Sequence, residues 1–353
     1  MSDSKEVVIF LPGLTAQDQE KEVYLNLISH GLTEQIENLN VKLLGEAKIS
    51  GHTGKKFAVY NNNKLIKTID IYEVLWLDLF SRLSTENLRN RVIRGIYLFF
   101  YWFVAKTWMS FKECPSLFFG LGLSLGLWIL WYYGILAIAL IAIGKDPTFL
   151  EVAPKWANFL TEFGKTMGSW RVWLIVSSLL SFLPVNRVVD IGYFAMQYLA
   201  EDTDGKVLRA KIRNRGLAIL NDVFDENRYD KVTILAHSFG VVVGTDLLAD
   251  YQNSQPIRYI TLGGPLKLLS YKSAWIQKEI GKCLDNNTVS QWIDYYSYQD
   301  WMCTKTPIPK GYSLNKIQSK KSTFKLSFIK QLTGESHNSY FSEEDVLKTI
   351  VDI

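Results

Sequence analysis

The chain has 353 residues, of which 48% are hydrophobic, 14% aromatic and 21% charged. That length suits one large α/β domain with an added element and excludes a string of domains. A net charge of +4, with no basic stripe interleaved with aromatics, excludes a nucleic-acid-binding reading. Three scattered cysteines, Cys114, Cys283 and Cys303, exclude a disulfide framework and imply a reducing compartment.

The apolar run Val7 to Leu11 predicts a buried strand, closed by Pro12-Gly13-Leu14. It starts so early that a signal peptide has no room before it. A helix is expected over about 19–31, then strands near 40–48, 56–60, 65–70 and 71–77. GHTGKK at 51–56 lacks the glycine spacing and final hydroxyl residue of a phosphate loop, and reads as a turn.

Composition changes after Arg94. Segment 116–144 carries no charge and exceeds the ~20 apolar residues that span a bilayer. Segments 95–111, interrupted by Lys106, and 170–186, ending near Pro184, are two further candidates. Strands on both sides of this insertion must join one sheet, so the chain crosses an even number of times. The favoured pair is 116–144 with 170–186, with 95–111 interfacial; the opposite pairing stays open. Arg89, Arg91, Arg94, Lys106 and Lys112 precede the long segment, so the positive-inside rule expects the rest of the chain to face the cytoplasm. The lipid bilayer is thus an expected partner, with the chain an integral membrane protein. The divisions are 1–90, 91–187 and 188–353.

Beyond the insertion, VVDIGYFAMQYL and VLRAKIRNRGLAILNDVF show helical spacing. Then comes VTILAHSFGVVVGTDLLAD, residues 232–250. An apolar run leads to Ala236-His237-Ser238-Phe239-Gly240, and a helical pattern follows at once. A strand, a sharp turn with serine at its apex and a helix form a nucleophile elbow. Small residues flank the serine because the strand and helix backbones nearly touch. At a helix N-terminus, free N–H groups favour developing negative charge.

A serine hydroxyl needs a base, and the base needs a third group to orient it. Of four histidines, His30 and His52 lie upstream, and His237 adjoins the serine, so its ring is expected to point away. His337, in GESHNSYF, remains as the base. For the acid, SQWIDYYSYQDWM reads as a strand running into a loop, with Asp300 just past its end and Asp294 inside it as the alternative. Phe239 N–H, with Leu14 N–H after the first strand, is the expected oxyanion pair. Further strands are expected at 257–262, 290–296 and 323–328, and a last helix from Ser342, capped with Asp345 three residues on.

FLPG, AHSFG, ITLGGPL at 260–266, the W-x-x-x-Y-x-x-x-D run from Trp292 to Asp300 and the H-x-x-Y at His337 together resemble α/β-hydrolase lipases and esterases. The likeness covers the N-terminal ~80 residues and everything after Asp190, with an unrelated insertion between. Ala236 departs from the usual first glycine but stays small, and Gly264 stands where serine often precedes proline. The resemblance implies a mostly parallel sheet with helices on both faces, here with an inserted membrane helical hairpin. It also implies a serine hydrolase that cleaves an ester or thioester, often of a lipid, with no cofactor and no metal. A non-catalytic membrane scaffold on the same fold is the alternative. A soluble lipase with 95–186 as an apolar lid is a third reading.

Overall fold

The computed structural model describes residues 4–14, 23–36, 39–79, 88–103, 126, 129–130, 132–134, 136–137, 140, 154–167, 169, 185–301, 303–327, 330–331 and 334–353. In chain order the elements are β1 (Ser4–Leu11), α1 (Val23–Glu34), β2 (Asn40–Ile49), β3 (His52–Asn61), β4 (Lys64–Glu73), α2 (Leu88–Phe103) and α3 (Pro154–Met167). There follow α4 (Val185–Leu199), α5 (Thr203–Glu226), β5 (Lys231–His237), α6 (Gly240–Asp250), β6 (Ile257–Leu262), α7 (Leu266–Ser270) and α8 (Ala274–Asp285). Last come β7 (Val289–Tyr296), β8 (Gln318–Lys321) and α9 (Glu344–Ile350), with short 3₁₀ turns at Glu335–His337 and Ser339–Ser342. Two compact units result. One holds the sheet and most of the helices; the other holds α2, α3 and residues Val185–Phe194 of α4.

All eight strands form one sheet in the order β2-β3-β4-β1-β5-β6-β7-β8. The expected mostly parallel sheet is corrected to a mixed one, because β2–β3 and β3–β4 pair antiparallel. The cause is connection length. Ile49 reaches His52 through Ser50 and Gly51, and Asn61 reaches Lys64 through Asn62 and Asn63, all four turn residues having positive φ. Two-residue turns of that kind reverse a chain, whereas a parallel return needs a crossover of a dozen residues or more. The pairs β1–β4, β1–β5, β5–β6, β6–β7 and β7–β8 are parallel. Between β5 and β6 lies α6, and between β6 and β7 lie α7 and α8, while the described residues between β7 and β8 hold only a 3₁₀ turn at Leu314–Lys316.

The central strands are buried on both faces, so they read as continuous apolar runs rather than alternating ones. Val8, Phe10, Leu235, Ile260, Leu262, Ile293 and Tyr295 join Tyr24, Leu25, Ile28 and Leu32 of α1 and Val346, Leu347 and Ile350 of α9 in one core. The alternate residues point the other way: Leu11 and Tyr259 meet Gly244 of α6. At the opposite end of the sheet, Glu6 of β1 and Lys67 of β4 form a buried ion pair at 3.0 Å. Lys67 also donates to the Asp352 carbonyl at 3.2 Å, tying the C-terminus to the strand ends.

Other boundaries differ from the pattern-based expectation. The segments 65–70 and 71–77 merge into β4, which ends at Glu73. The expected strand 323–328 is displaced: β8 is Gln318–Lys321, and the following residues, described to 327, are irregular. Ser342 belongs to a 3₁₀ turn, and α9 starts after Glu343 without a side-chain cap bond.

The integral-membrane expectation is also overturned. Among the described residues no helix is long and apolar enough to cross a membrane. The 16-residue α2 carries Arg89, Arg91 and Arg94, and the 14-residue α3 carries Lys155, Glu162 and Lys165, short of the ~20 apolar residues a span requires. The membrane helical hairpin is therefore withdrawn, together with the cytoplasm-facing orientation that depended on it. Most of 116–144 and 170–186, and residues 104–111 of the third candidate, lie outside the described residues.

The β1 end and the start of α6 leave no room for a side chain between them. A methyl group on Gly240 would sit 2.1 Å from the Leu11 carbonyl oxygen and 2.7 Å from that of Pro12. Gly240→Ala is therefore expected to lower stability by about 2 kcal/mol or more, measured as a fall in the urea midpoint at unchanged m-value.

Candidate active site

Four strand-end features build the site. β5 delivers His237 and then Ser238, whose φ is +57°. A serine in the left-handed region carries steric cost, and such strain collects at functional turns. Two bonds hold it. The Ser238 N–H donates to the Leu262 carbonyl at the end of β6 (2.9 Å), and the Ser238 carbonyl accepts from Val241 N–H (3.1 Å). The serine thus heads α6 while staying stitched to the sheet, and it is 8% exposed.

Gly13 presses on the serine from the β1 side. A methyl group there would lie 2.5 Å from Ser238 Cβ and 3.0 Å from Oγ. Only bare backbone passes here, directly ahead of Leu14, one expected oxyanion donor, which is buried. Phe239, the other expected oxyanion donor, occupies the N-cap of α6 in αR geometry, with φ −63°. Its ring packs against Trp76 and Tyr198, with centroids 6.2 and 5.2 Å away.

Asp300, three residues past Ser297 in the loop after β7, is fully buried. Its Oδ2 accepts from His337 Nδ1 at 2.8 Å and from the Tyr340 hydroxyl at 3.1 Å. A carboxylate accepts only, so His337 Nδ1 carries a proton, and in the neutral imidazole Nε2 keeps a lone pair. That Nε2 is buried and has no hydrogen-bond partner among the described residues. It is the tautomer a general base requires. No hydrogen bond joins it to Ser238 Oγ among the described residues, a looseness usual before substrate binds.

The two halves meet at the end of β6. Gly263, with φ +59°, follows the Leu262 carbonyl that holds Ser238. A methyl group on Gly263 would lie 3.0 Å from Asp300 Oδ2 and 3.4 Å from His337 Cε1. Serine, histidine and aspartate therefore converge on one strand end. Asp294 does something else: it accepts from Thr261 Oγ1 (2.7 Å), Thr306 N–H (2.8 Å) and Thr306 Oγ1 (2.9 Å). Burial pushes its carboxyl up from the usual range, against those bonds. It ties β7 to β6 and the 304–306 loop, and Asp300 is the acid the structure puts on the histidine.

Two participants escape a reading of residue types alone. Tyr340 binds Asp300, and its oxygen lies 3.1 Å from Cys303 Sγ. With the Tyr340 proton given to Asp300, the thiol is the donor in that second contact. The three-residue spacing of His337 and Tyr340 was the available signal, since 3₁₀ geometry eclipses positions three apart. The second is His237, whose ring does leave the serine, as expected, but reaches the His337 carbonyl at 2.7 Å. No sequence signal links two residues 100 apart.

Among the described residues no cluster of three or more metal-ligating side chains occurs. No family model, curated protein or solved structure matches the chain. The fold itself, a mixed eight-stranded α/β sheet with helices on both faces, is compatible with an α/β-hydrolase-like architecture.

His237 also gives the site a pH signature. Complete burial, with the neighbouring His337 second, holds its imidazole down to about 3. The unfolded chain protonates it near its ordinary value of about 6.5. The unfolded state thus binds the extra proton between these limits, and stability present above pH 6.5 is lost as pH falls toward 3. Urea unfolding at pH 7 and pH 5 is expected to show His237 contributing about 2 kcal/mol to the difference, a share that His237→Gln removes.

Proposed function

We propose that this protein is a serine hydrolase of the α/β-hydrolase kind that cleaves a carboxylic ester or thioester. The observation that carries the reading is His337: Nδ1 bonded to buried Asp300, Nε2 open, at the strand end that holds Ser238 in a left-handed turn. His237 Nδ1 also has no partner among the described residues, but His237 is bonded to a main-chain carbonyl, whereas His337 is oriented by a buried carboxylate, the arrangement a general base needs.

In this reading Ser238 Oγ attacks the acyl carbon and its proton passes to His337 Nε2. Asp300 accepts from Nδ1–H and stabilises the imidazolium without itself being protonated. Tyr340 donates to the same carboxylate oxygen and fixes its rotamer. The tetrahedral oxyanion is met by the N–H groups of Phe239 and Leu14, preorganised by the α6 N-terminus and by the backbone of Gly13. The imidazolium then protonates the leaving alcohol or thiol. Water, deprotonated by the same nitrogen, releases the acid from the acyl-serine.

Ser238→Ala is expected to lower hydrolysis of a short-chain nitrophenyl ester by ~10⁴-fold or more without unfolding the protein. A fluorophosphonate probe is expected to label the native chain at Ser238 and nowhere else. Unlabelled, folded protein, or an alanine variant of equal activity, would instead favour a non-catalytic scaffold. Per labelled site, Asp300→Asn is expected to cost ~10³-fold or more, because the imidazole loses its required tautomer. Asp294→Asn is expected to stay within about tenfold, because its bonds lead to threonines rather than the base.

A further inference from the structure

The hydrogen bond from His237 to the His337 main chain joins the residue before the nucleophile to the base. The His337 carbonyl accepts only, so His237 carries a proton on Nε2, and complete burial keeps the ring neutral. His237 is fully buried, and its ring lies against those of His337, Phe341 and Tyr24, with centroids 4.6, 4.9 and 5.2 Å away. His337 itself sits in a 3₁₀ turn of three residues, bounded by Gly334 at φ +78°. Such a short turn has little rigidity of its own. Its side chain is held by Asp300 and packs against the His237 ring. The bond from His237 Nε2 holds its main chain.

We infer that His237 is a positioning residue for the base: through the His337 carbonyl, it sets where the imidazole stands relative to Ser238. The inference rests on the serine-hydrolase reading above. Its logic is covalent. His237 and Ser238 are adjacent on β5, so any shift of the strand end carries the nucleophile and the base's main-chain anchor together. Two groups 100 residues apart thereby share one mechanical reference. Catalytic alignment tolerates little error, since a displacement of about 1 Å can cost ~10²-fold in rate.

The test compares His237→Leu, His237→Gln and His237→Asn on a nitrophenyl ester, with kcat calculated per fluorophosphonate-titrated serine. Glutamine presents an N–H donor at the reach of Nε2; asparagine presents one that falls short; leucine presents none. Expected is a fall in kcat of ~10-fold or more in the leucine and asparagine variants, with KM within about twofold and most of the rate restored by glutamine. A purely architectural role would lower the unfolding temperature and the titratable fraction but leave kcat per labelled site unchanged. The inference is overturned if the leucine or asparagine variant keeps native kcat per site, or if glutamine is as impaired as asparagine. Should leucine fail to fold, the glutamine–asparagine comparison decides by the same criterion. Failure of the native protein to label would instead remove the hydrolase reading beneath it.

Discussion

Three backbone segments crowd together at the carboxyl ends of β1, β5 and β6, and the spacing between them governs the site. Gly13 and Gly240 are bare because neighbouring backbone or Ser238 occupies the volume a methyl group would need. Ser238 takes positive φ because the chain must turn from strand to helix within that space, and its N–H is drawn to the Leu262 carbonyl. The strain at one residue is therefore maintained by the packing of many. The core behind it supplies the cohesion, with β1, β5 and β6 buried on both faces.

From that constraint follows the division of labour among the acidic groups. Two buried carboxylates lie six residues apart, on β7 and in its following loop, and burial raises the carboxyl of Asp294. They differ in their donors. Asp294 is bonded by threonines and by the Thr306 main chain, and it joins β7 to β6 and the 304–306 loop. Asp300 is bonded by an imidazole and a phenol, and in the proposed reaction it steadies the charge on His337. Tyr340 and Cys303 extend this network into the core, which explains why such polar atoms are tolerated among Phe324, Phe341 and the α1 face.

The adjacent histidines show how environment assigns different tasks to identical side chains. His237 gives its one donor to a carbonyl and is held neutral by burial. His337 gives its donor to a carboxylate, and each ring keeps one nitrogen without a partner among the described residues. The two meet through the His337 carbonyl and through their rings, 4.6 Å apart. Both depend on the 3₁₀ turns after Gly334, a segment without a regular helix or strand of its own.

The strand–serine–helix succession, the small residues around Ser238, the order of serine, acid and histidine, and Gly13 ahead of Leu14 were all legible along the chain, because each is a local rule of backbone sterics or hydrophobic period. The antiparallel β2–β3–β4 edge was legible in principle from Ser50-Gly51 and Asn62-Asn63, turn residues whose left-handed conformations fit a two-residue reversal. The apolar composition of 95–186 predicted spans that no described helix supplies: α2 and α3 are 16 and 14 residues long, and they carry Arg89, Arg91 and Arg94, and Lys155, Glu162 and Lys165. Position past the strand ranked Asp300 ahead of Asp294; only tertiary structure set Asp300, and not Asp294, on the His337 ring and brought Gly263 and His237 beside it. Those choices depend on which oxygen and which nitrogen lie within 3 Å across tens of residues, a distance set by sheet register and loop path rather than by any periodicity in the chain.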